Sequence, residues 1–285
     1  SSIIVHEELA FCEPSIALSY LAHSILCVHN IASNGDEEMK KRLLPGLCKG
    51  TKIGCMALSE SEAGSDILSM KTMAKKVKDG YVLNGSKMWI TNGVIDNKNK
   101  PSDIIYLYAR SSDSNKILTF VVEKDALVGQ KIKNKLGMRG SPTSELIFDN
   151  CFVPSKNVVS ENSSLRNMMR NLQIERITLA AISMGIAKYT LSQMIMYSRE
   201  RKTFDKYIHN YGQIQKHIAD SYSEYMACKS YIYNTAYNID SSSYNMRIDT
   251  DSIKLIASKV AKNISDSAIQ VLGGNGYIAE YNVER

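Results

Sequence analysis

The feature that most constrains this chain is a double change in its apolar period. Over residues 1–50 the apolar positions recur at helical spacing: Val5, Leu9 and Cys12, then Ile16 and Tyr20, then Met39, Leu43 and Leu44. Pro45-Gly46 is expected to stop this last run. Between residues 51 and 154 the period becomes two. β-rich runs at Tyr81-Val82-Leu83, 87–91, 103–109 and 117–123 are separated by Asp79-Gly80, Asn84-Gly85 and Asn92-Gly93, which read as hairpin and turn signals. A last strand over 144–149 runs on toward Pro154, where the missing N–H should end it. Helical spacing then returns over 165–201, 213–237 and 251–272, with Gly273-Gly274 closing the last helix and the short Ser-rich run from Asp240 to Tyr244 expected as an inter-helix loop. A chain that reads helix, strand, helix in blocks is an α+β multidomain protein. The divisions expected are 1–50, 51–160 and 161–285.

At 285 residues the chain can bury more than one core, and 44% hydrophobic with 22% charged residues is ordinary folded composition. The net charge of +6 raises nucleic acid as a partner, but Lys71, Lys75, Lys76 and Lys78 are spread through strand-like sequence and form no single face, so no nucleic acid is expected. A mild positive balance suits an anionic small molecule. The six cysteines form no C-x-x-C pair and lie among apolar neighbours, as free thiols do in a reducing compartment. The five histidines lack metal-ligand spacing, so no metal is expected. The apolar run over 16–32 is interrupted by Ser19, His23, Ser24, His29 and Asn30 and reads as a buried helix, not a membrane span.

Three segments carry chemistry. Leu58-Ser59-Glu60-Ser61-Glu62-Ala63-Gly64-Ser65-Asp66 is a loop of small residues where a backbone can approach a ligand and hydroxyls can bond it; alone it would be an ordinary Ser/Gly loop. Asn84-Gly85-Ser86-Lys87-Met88-Trp89-Ile90-Thr91-Asn92-Gly93 carries the one tryptophan, a residue type usually spent on core packing. The third segment is Leu136-Gly137-Met138-Arg139-Gly140-Ser141-Pro142-Thr143-Ser144-Glu145-Leu146. The order and spacing of the three resemble acyl-CoA dehydrogenases, from one end of the chain to the other. Residues 199–204, 270–277 and 283–285 extend the likeness to that family's arginine-bearing helix junction and Gly-Gly-Asn-Gly turn. Gly273-Gly274-Asn275-Gly276 follows a helix and so fails the context of a dinucleotide fingerprint.

The resemblance implies an acyl-CoA dehydrogenase-like fold: N-terminal helices, a central β-barrel-like domain and a C-terminal four-helix bundle. It also implies further helical residues before Ser1 and after Arg285, where many members carry their catalytic glutamate. One branch, which includes the isovaleryl-CoA and long-chain enzymes, instead places the base directly before an arginine early in the first bundle helix. Glu175-Arg176 matches that position, and Ile177, Leu179, Ala180, Ala181, Ile182 and Met184 supply an apolar surround that disfavours the charged carboxylate. Residues 135–141 and 145–151 lean toward the isovaleryl enzyme. By resemblance, Glu175 takes the α-proton of an acyl-CoA thioester, FAD accepts the β-hydride and a 2-enoyl-CoA results. The same likeness puts Met56, Ala57, Leu58, Ser59, Gly64, Ser65, Trp89, Ile90, Thr91, Arg201, Gln215, Gln270, Val271, Leu272, Gly273 and Gly274 at FAD. Ser65, Gln173, Ile174, Glu175 and Arg176 fall at the substrate. It further implies a homodimer or homotetramer, electron-transferring flavoprotein as partner and the mitochondrial matrix as compartment.

Departures from the pattern keep other readings open. Tyr211-Gly212-Gln213 stands where the family has an aromatic residue followed at once by a flavin-binding glutamine, which leaves Gln213 or Gln215 for that contact. Arg166 occupies a tyrosine position and would call for a charged partner. A long-chain dehydrogenase, an acyl-CoA oxidase, and a non-catalytic flavoprotein or assembly subunit of the same fold are the alternatives.

Overall fold

The computed structural model describes residues 2–123, 127–239 and 246–284, with Met246 by its backbone alone. The run from Asp240 to Tyr244 and Arg285 lie outside the described residues. The chain divides into two units. One is Ser19–Leu172, and the other combines Ser1–Leu18 with Gln173–Arg285.

Helices α1 (Ser2–Cys12), α2 (Pro14–His23), α3 (Asn30–Asn34) and α4 (Glu37–Cys48) open the chain, with a π-helical turn at Ser24–His29. The stretch Pro14–Asn34 is long and apolar enough, by length and composition, to cross a membrane. In this fold Leu21, Ala22, Ile25, Cys27 and Ile31 are buried in protein, while Ser24 and His29 are not. Asp36 caps α4 by accepting from the Met39 N–H at 2.7 Å, and Glu37 and Glu38 complement the helix dipole. Contrary to expectation, α4 does not stop at Pro45. Proline costs only one internal hydrogen bond there, and burial of Leu47 with the Lys49 N–H to Pro45 C=O bond completes a last turn.

Eight strands form one sheet: β1 (Gly54–Ala57), β2 (Met73–Val77), β3 (Gly80–Thr91), β4 (Ile104–Ser111), β5 (Ile117–Glu123), β6 (Val128–Lys131), β7 (Thr143–Pro154) and β8 (Val158–Ser160). The order is β6-β7-β3-β2-β4-β5-β8, with β1 also on β4. β4 is buried on both faces, which is why its sequence is an unbroken apolar run. Ile105, Leu107 and Ala109 join one core with Leu83, Phe120 and Phe148. Ile104, Tyr106 and Tyr108 join another with Ile31, Leu43 and Leu47 of the helices. Only one of the three expected turn signals makes a two-residue hairpin, where Val77 pairs with Gly80. Asn84-Gly85 lies inside a continuous β3, at a register shift that Gly85 permits with φ +143°; a Cβ there would come within 2.7 Å of the Thr72 Cα. β7 does end at Pro154.

β1 and β2 both run parallel to β4, at 54–57 and 73–74 respectively. Residues 58–72 therefore leave the sheet and return to the same edge of the same strand, an excursion that carries the first ligand-like loop.

In the helical unit, α5 (Ser164–Glu200), α6 (Gly212–Asn238) and α7 (Met246–Leu272) share a core that includes Ile177, Met184, Leu191, Ile232, Ile253, Ala257 and Ile264. The ribbon β9 (Lys202–Thr203) and β10 (Lys206–Tyr207) links α5 to α6. α1 is fastened to this unit twice. Gly185 admits it so closely that a Cβ would lie 2.3 Å from the Glu7 carbonyl oxygen. The buried Glu7 carboxylate accepts from Lys229 Nζ at 2.6 Å, Tyr233 Oη at 2.6 Å and Tyr225 Oη at 3.1 Å. Burial opposes its ionisation, but these donors outweigh burial and hold the carboxyl below the usual range.

Candidate active site

In the β unit, the expected ligand-facing residues cluster at the end of β1, on the 58–72 excursion and on β3. Ala57, Leu58 and Ile90 are buried in the core, so only their backbone can serve a ligand. Met56, Ser59 and Thr91 are partly exposed, and Gly64 and Ser65 are exposed. Trp89 departs from its usual role, since its indole is 55% exposed. Strand alternation would put it on the same inward face as Lys87, which is fully buried. A register shift between Lys87 and Ile90 and a left-handed Trp89 backbone, φ +60°, break the alternation and turn the indole out. An aromatic residue held there costs on the order of 1–3 kcal/mol, a cost natural folds tolerate mainly at functional sites.

In the helical unit, Gln173, Ile174, Glu175 and Arg176 follow one another on α5, all partly buried. Loss of water around the Glu175 carboxyl pushes it up to about 7, against the opposing charges of Arg176 and Lys254. Arg176 does not neutralise its neighbour directly, because its guanidinium pairs with Asp251 of α7 at 3.1 Å. The result is a carboxylate poised to take a proton near neutral pH.

A cavity of about 550 Å³ in the same unit brings Arg201 together with Val271, Leu272, Gly273 and Gly274. Of these, Val271 and Leu272 are mainly core; Gly273, with φ +59°, and Gly274 have open space where a Cβ would stand. Asn275 donates to the Tyr197 hydroxyl at 2.9 Å and fixes the turn. Gln270 lines a neighbouring hollow with Gln213. Gln215 lines neither, and its amide donates to the His209 carbonyl at 3.1 Å. Gln213, which lines both, is the glutamine the structure brings to Arg201. Phe204 was also missed as a lining residue. It stands 92% exposed at the tip of the β9–β10 ribbon, where Phe204 and Asp205 both take left-handed backbone. A large apolar side chain in a two-residue turn was the available signal. Arg166 is exposed, so its guanidinium requires no buried acid.

Comparison with known proteins now decides the family. Three domain models match in order: acyl-CoA dehydrogenase N-terminal domain over residues 1–51, middle domain over 55–151 and C-terminal domain over 163–285. The chain belongs to the acyl-CoA dehydrogenase family. It is 39% identical to isovaleryl-CoA dehydrogenase, mitochondrial, of Arabidopsis thaliana, over 99% of this chain and 69% of that one. It is equally 39% identical to 2-methylacyl-CoA dehydrogenase, mitochondrial, of Solanum tuberosum, over 99% and 68%. Among solved structures, butyryl-CoA dehydrogenase from Megasphaera elsdenii superimposes with a TM-score of 0.92 at 33% identity, covering 99% of this chain and 74% of that one. The chain is thus an oxidoreductase acting on acyl-CoA, in a family of FAD-dependent enzymes, and its fold is theirs.

Proposed function

We propose that this acyl-CoA dehydrogenase oxidises a short branched acyl-CoA of the isovaleryl type to the 2-enoyl-CoA, with Glu175 as the base. The Glu175 carboxyl, raised to about 7 on α5 while its arginine neighbour is engaged by Asp251, carries the base assignment, and the likeness to isovaleryl-CoA dehydrogenase supports the substrate class. Glu175 takes the proton from the carbon next to the thioester, and Gln173, Ile174 and Arg176 line the acyl side. Ser65, exposed on its loop, serves both substrate and cofactor. FAD, when bound, accepts the hydride from the β-carbon.

The residues present fit that cofactor. The exposed indole of Trp89 beside Thr91 offers a flat face and a hydroxyl to the ring system. The open cradle over Gly273 and Gly274, with the Arg201 guanidinium at its wall, suits phosphate. Met56, Ser59, Gly64, Gln270 and the backbone of Ala57, Leu58, Ile90, Val271 and Leu272 complete the assignment, with Gln213 preferred to Gln215. Electron-transferring flavoprotein as acceptor, a homodimer or homotetramer, and the mitochondrial matrix follow from the family resemblance, and the compartment also from the mitochondrial relatives. The equal likeness to a 2-methylacyl-CoA enzyme makes 2-methyl-branched substrates the second reading.

Anaerobic titration of the FAD-loaded protein with isovaleryl-CoA, a 2-methylacyl-CoA and a long straight-chain acyl-CoA tests this. Bleaching of the oxidised flavin band by isovaleryl-CoA alone is expected. Bleaching by the 2-methyl or long-chain thioester alone reassigns the substrate, and no bleaching with flavin bound points to a non-catalytic flavoprotein. Glu175→Gln should stay yellow and lose turnover.

A further inference from the structure

The β unit contains a buried ion pair that the proposed reaction does not use. Lys87 of β3 is fully buried, Glu60 is 6% exposed, and they meet at 2.8 Å. From the strand, Lys87 Nζ also donates to the Leu58 carbonyl at 2.8 Å, the point where residues 58–72 leave the sheet. Glu60 in turn accepts from the backbone N–H groups of Lys71 at 2.6 Å and Thr72 at 3.0 Å, where they return. The Met88 N–H donates to the Ser59 carbonyl at 2.9 Å, and Arg110 of β4 donates from Nε to the Met70 carbonyl at 3.1 Å and from Nη2 to the Leu68 carbonyl. Both ends of the excursion are therefore tied through one ion pair, while its middle, at Gly64, Ser65 and Asp66, is exposed. The residue two places beyond Lys87 is the outward-turned Trp89.

We propose that Glu60 and Lys87 are a positioning pair that sets the register of the 58–72 loop against the Trp89 bulge, so that Ser59, Ser65 and the indole present one preformed face to the flavin. The inference rests on the FAD reading above and assigns the pair no contact with the cofactor. The geometry favours it over a purely stabilising role. A buried ion pair is a weak source of stability and is often replaceable by apolar residues of similar size. Here, however, the carboxylate is also the acceptor for two loop amides, which an apolar replacement leaves without a partner.

The test uses the full chain carrying Glu60→Gln, or Glu60→Leu with Lys87→Met where the single variant folds poorly. Trp89 is the chain's one tryptophan, so its emission reports the bulge with and without flavin. Expected are a shifted Trp89 emission and faster hydrogen exchange at the Lys71 and Thr72 amides in the flavin-free variant. The FAD dissociation constant, read from quenching of Trp89, should rise at least tenfold, well beyond what the drop in flavin-free melting temperature from the two unpartnered amides accounts for. Wild-type FAD affinity in a variant whose Lys71 and Thr72 amides exchange freely overturns the proposal, as does a loss of affinity that merely tracks a loss of melting temperature. Failure of FAD to quench Trp89 in the wild-type protein strikes instead at the FAD reading; the pair is then upheld or overturned by Trp89 emission and amide exchange alone.

Discussion

Glu175 carries a consequence for stability as well as for chemistry. Its carboxyl is raised from the ordinary range to about 7, so between those values the folded chain holds a proton that the unfolded chain has released. Stability attached to this group is therefore complete below the unfolded pKa and declines as pH rises through about 7, a loss on the order of 3 kcal/mol. Glu175→Gln, which cannot ionise, should melt higher than wild type at pH 8, and the gap should close toward pH 4.5; melting curves across that range check it. Asp251 acts in the opposite sense to Arg176. Asp251→Asn frees the guanidinium to favour the Glu175 carboxylate, so the acid limb of the kcat/KM profile should move to lower pH. A profile unmoved by that change would mean that the pair is electrically remote from the base. Glu175 was singled out by the resemblance, through its place directly before Arg176, with the apolar surround as support. The Arg176–Asp251 pair was not, because 75 residues of chain separate its members and only packing of α5 on α7 brings them together.

Among the elements, α1 shows how a helix with little amphipathic character is held. Its fastening is the polar cluster around Glu7 and the glycine notch at Gly185, features with no period to detect. Glu7→Gln should destabilise the helical unit by about 2–3 kcal/mol, less than a fully sealed pair because Lys229 keeps 30% of its side chain in water. Since the Glu7 carboxyl is held low, its contribution is present above the ordinary carboxylate pKa and is lost as pH falls below it. The variant should accordingly match wild type in acid melts and fall behind near neutrality. β3 teaches a second lesson. Its alternation predicted strand sequence on both sides of Asn84-Gly85 and left the dipeptide as a turn; the structure keeps one strand and spends the glycine on a bulge. Residue type alone pointed Trp89 to the core, and it was the family resemblance that put it at FAD. Its outward face depends on a single left-handed residue that no local propensity predicts.

At the scale of the whole molecule, the period changes made the α, β, α order readable, and the motif spacing carried the family. What the sequence concealed was how the segments group. Residues Ser19–Leu172 form one unit from a continuous stretch, while the helical unit needs Ser1–Leu18 as well as Gln173–Arg285. A fragment of residues 19–172 should fold alone with a cooperative melt, because its two apolar clusters are internal to it. A fragment of residues 173–285 should stay partly unfolded, since Lys229, Tyr225 and Tyr233 lose their shared acid, and adding a peptide of residues 1–18 should raise its helicity by circular dichroism. The two ends of the Glu7–Lys229 contact are 222 residues apart. At a synthesis rate of about 5–20 residues per second, roughly 10–45 s pass between the emergence of one and the other. Throughout that interval the Glu7 carboxylate is without its α6 donors, and the β unit, which ends at Leu172, is able to close before Lys229 emerges. Slower translation of the α6 codons would lengthen the time before that acid finds its donors, without altering a single residue of the finished enzyme.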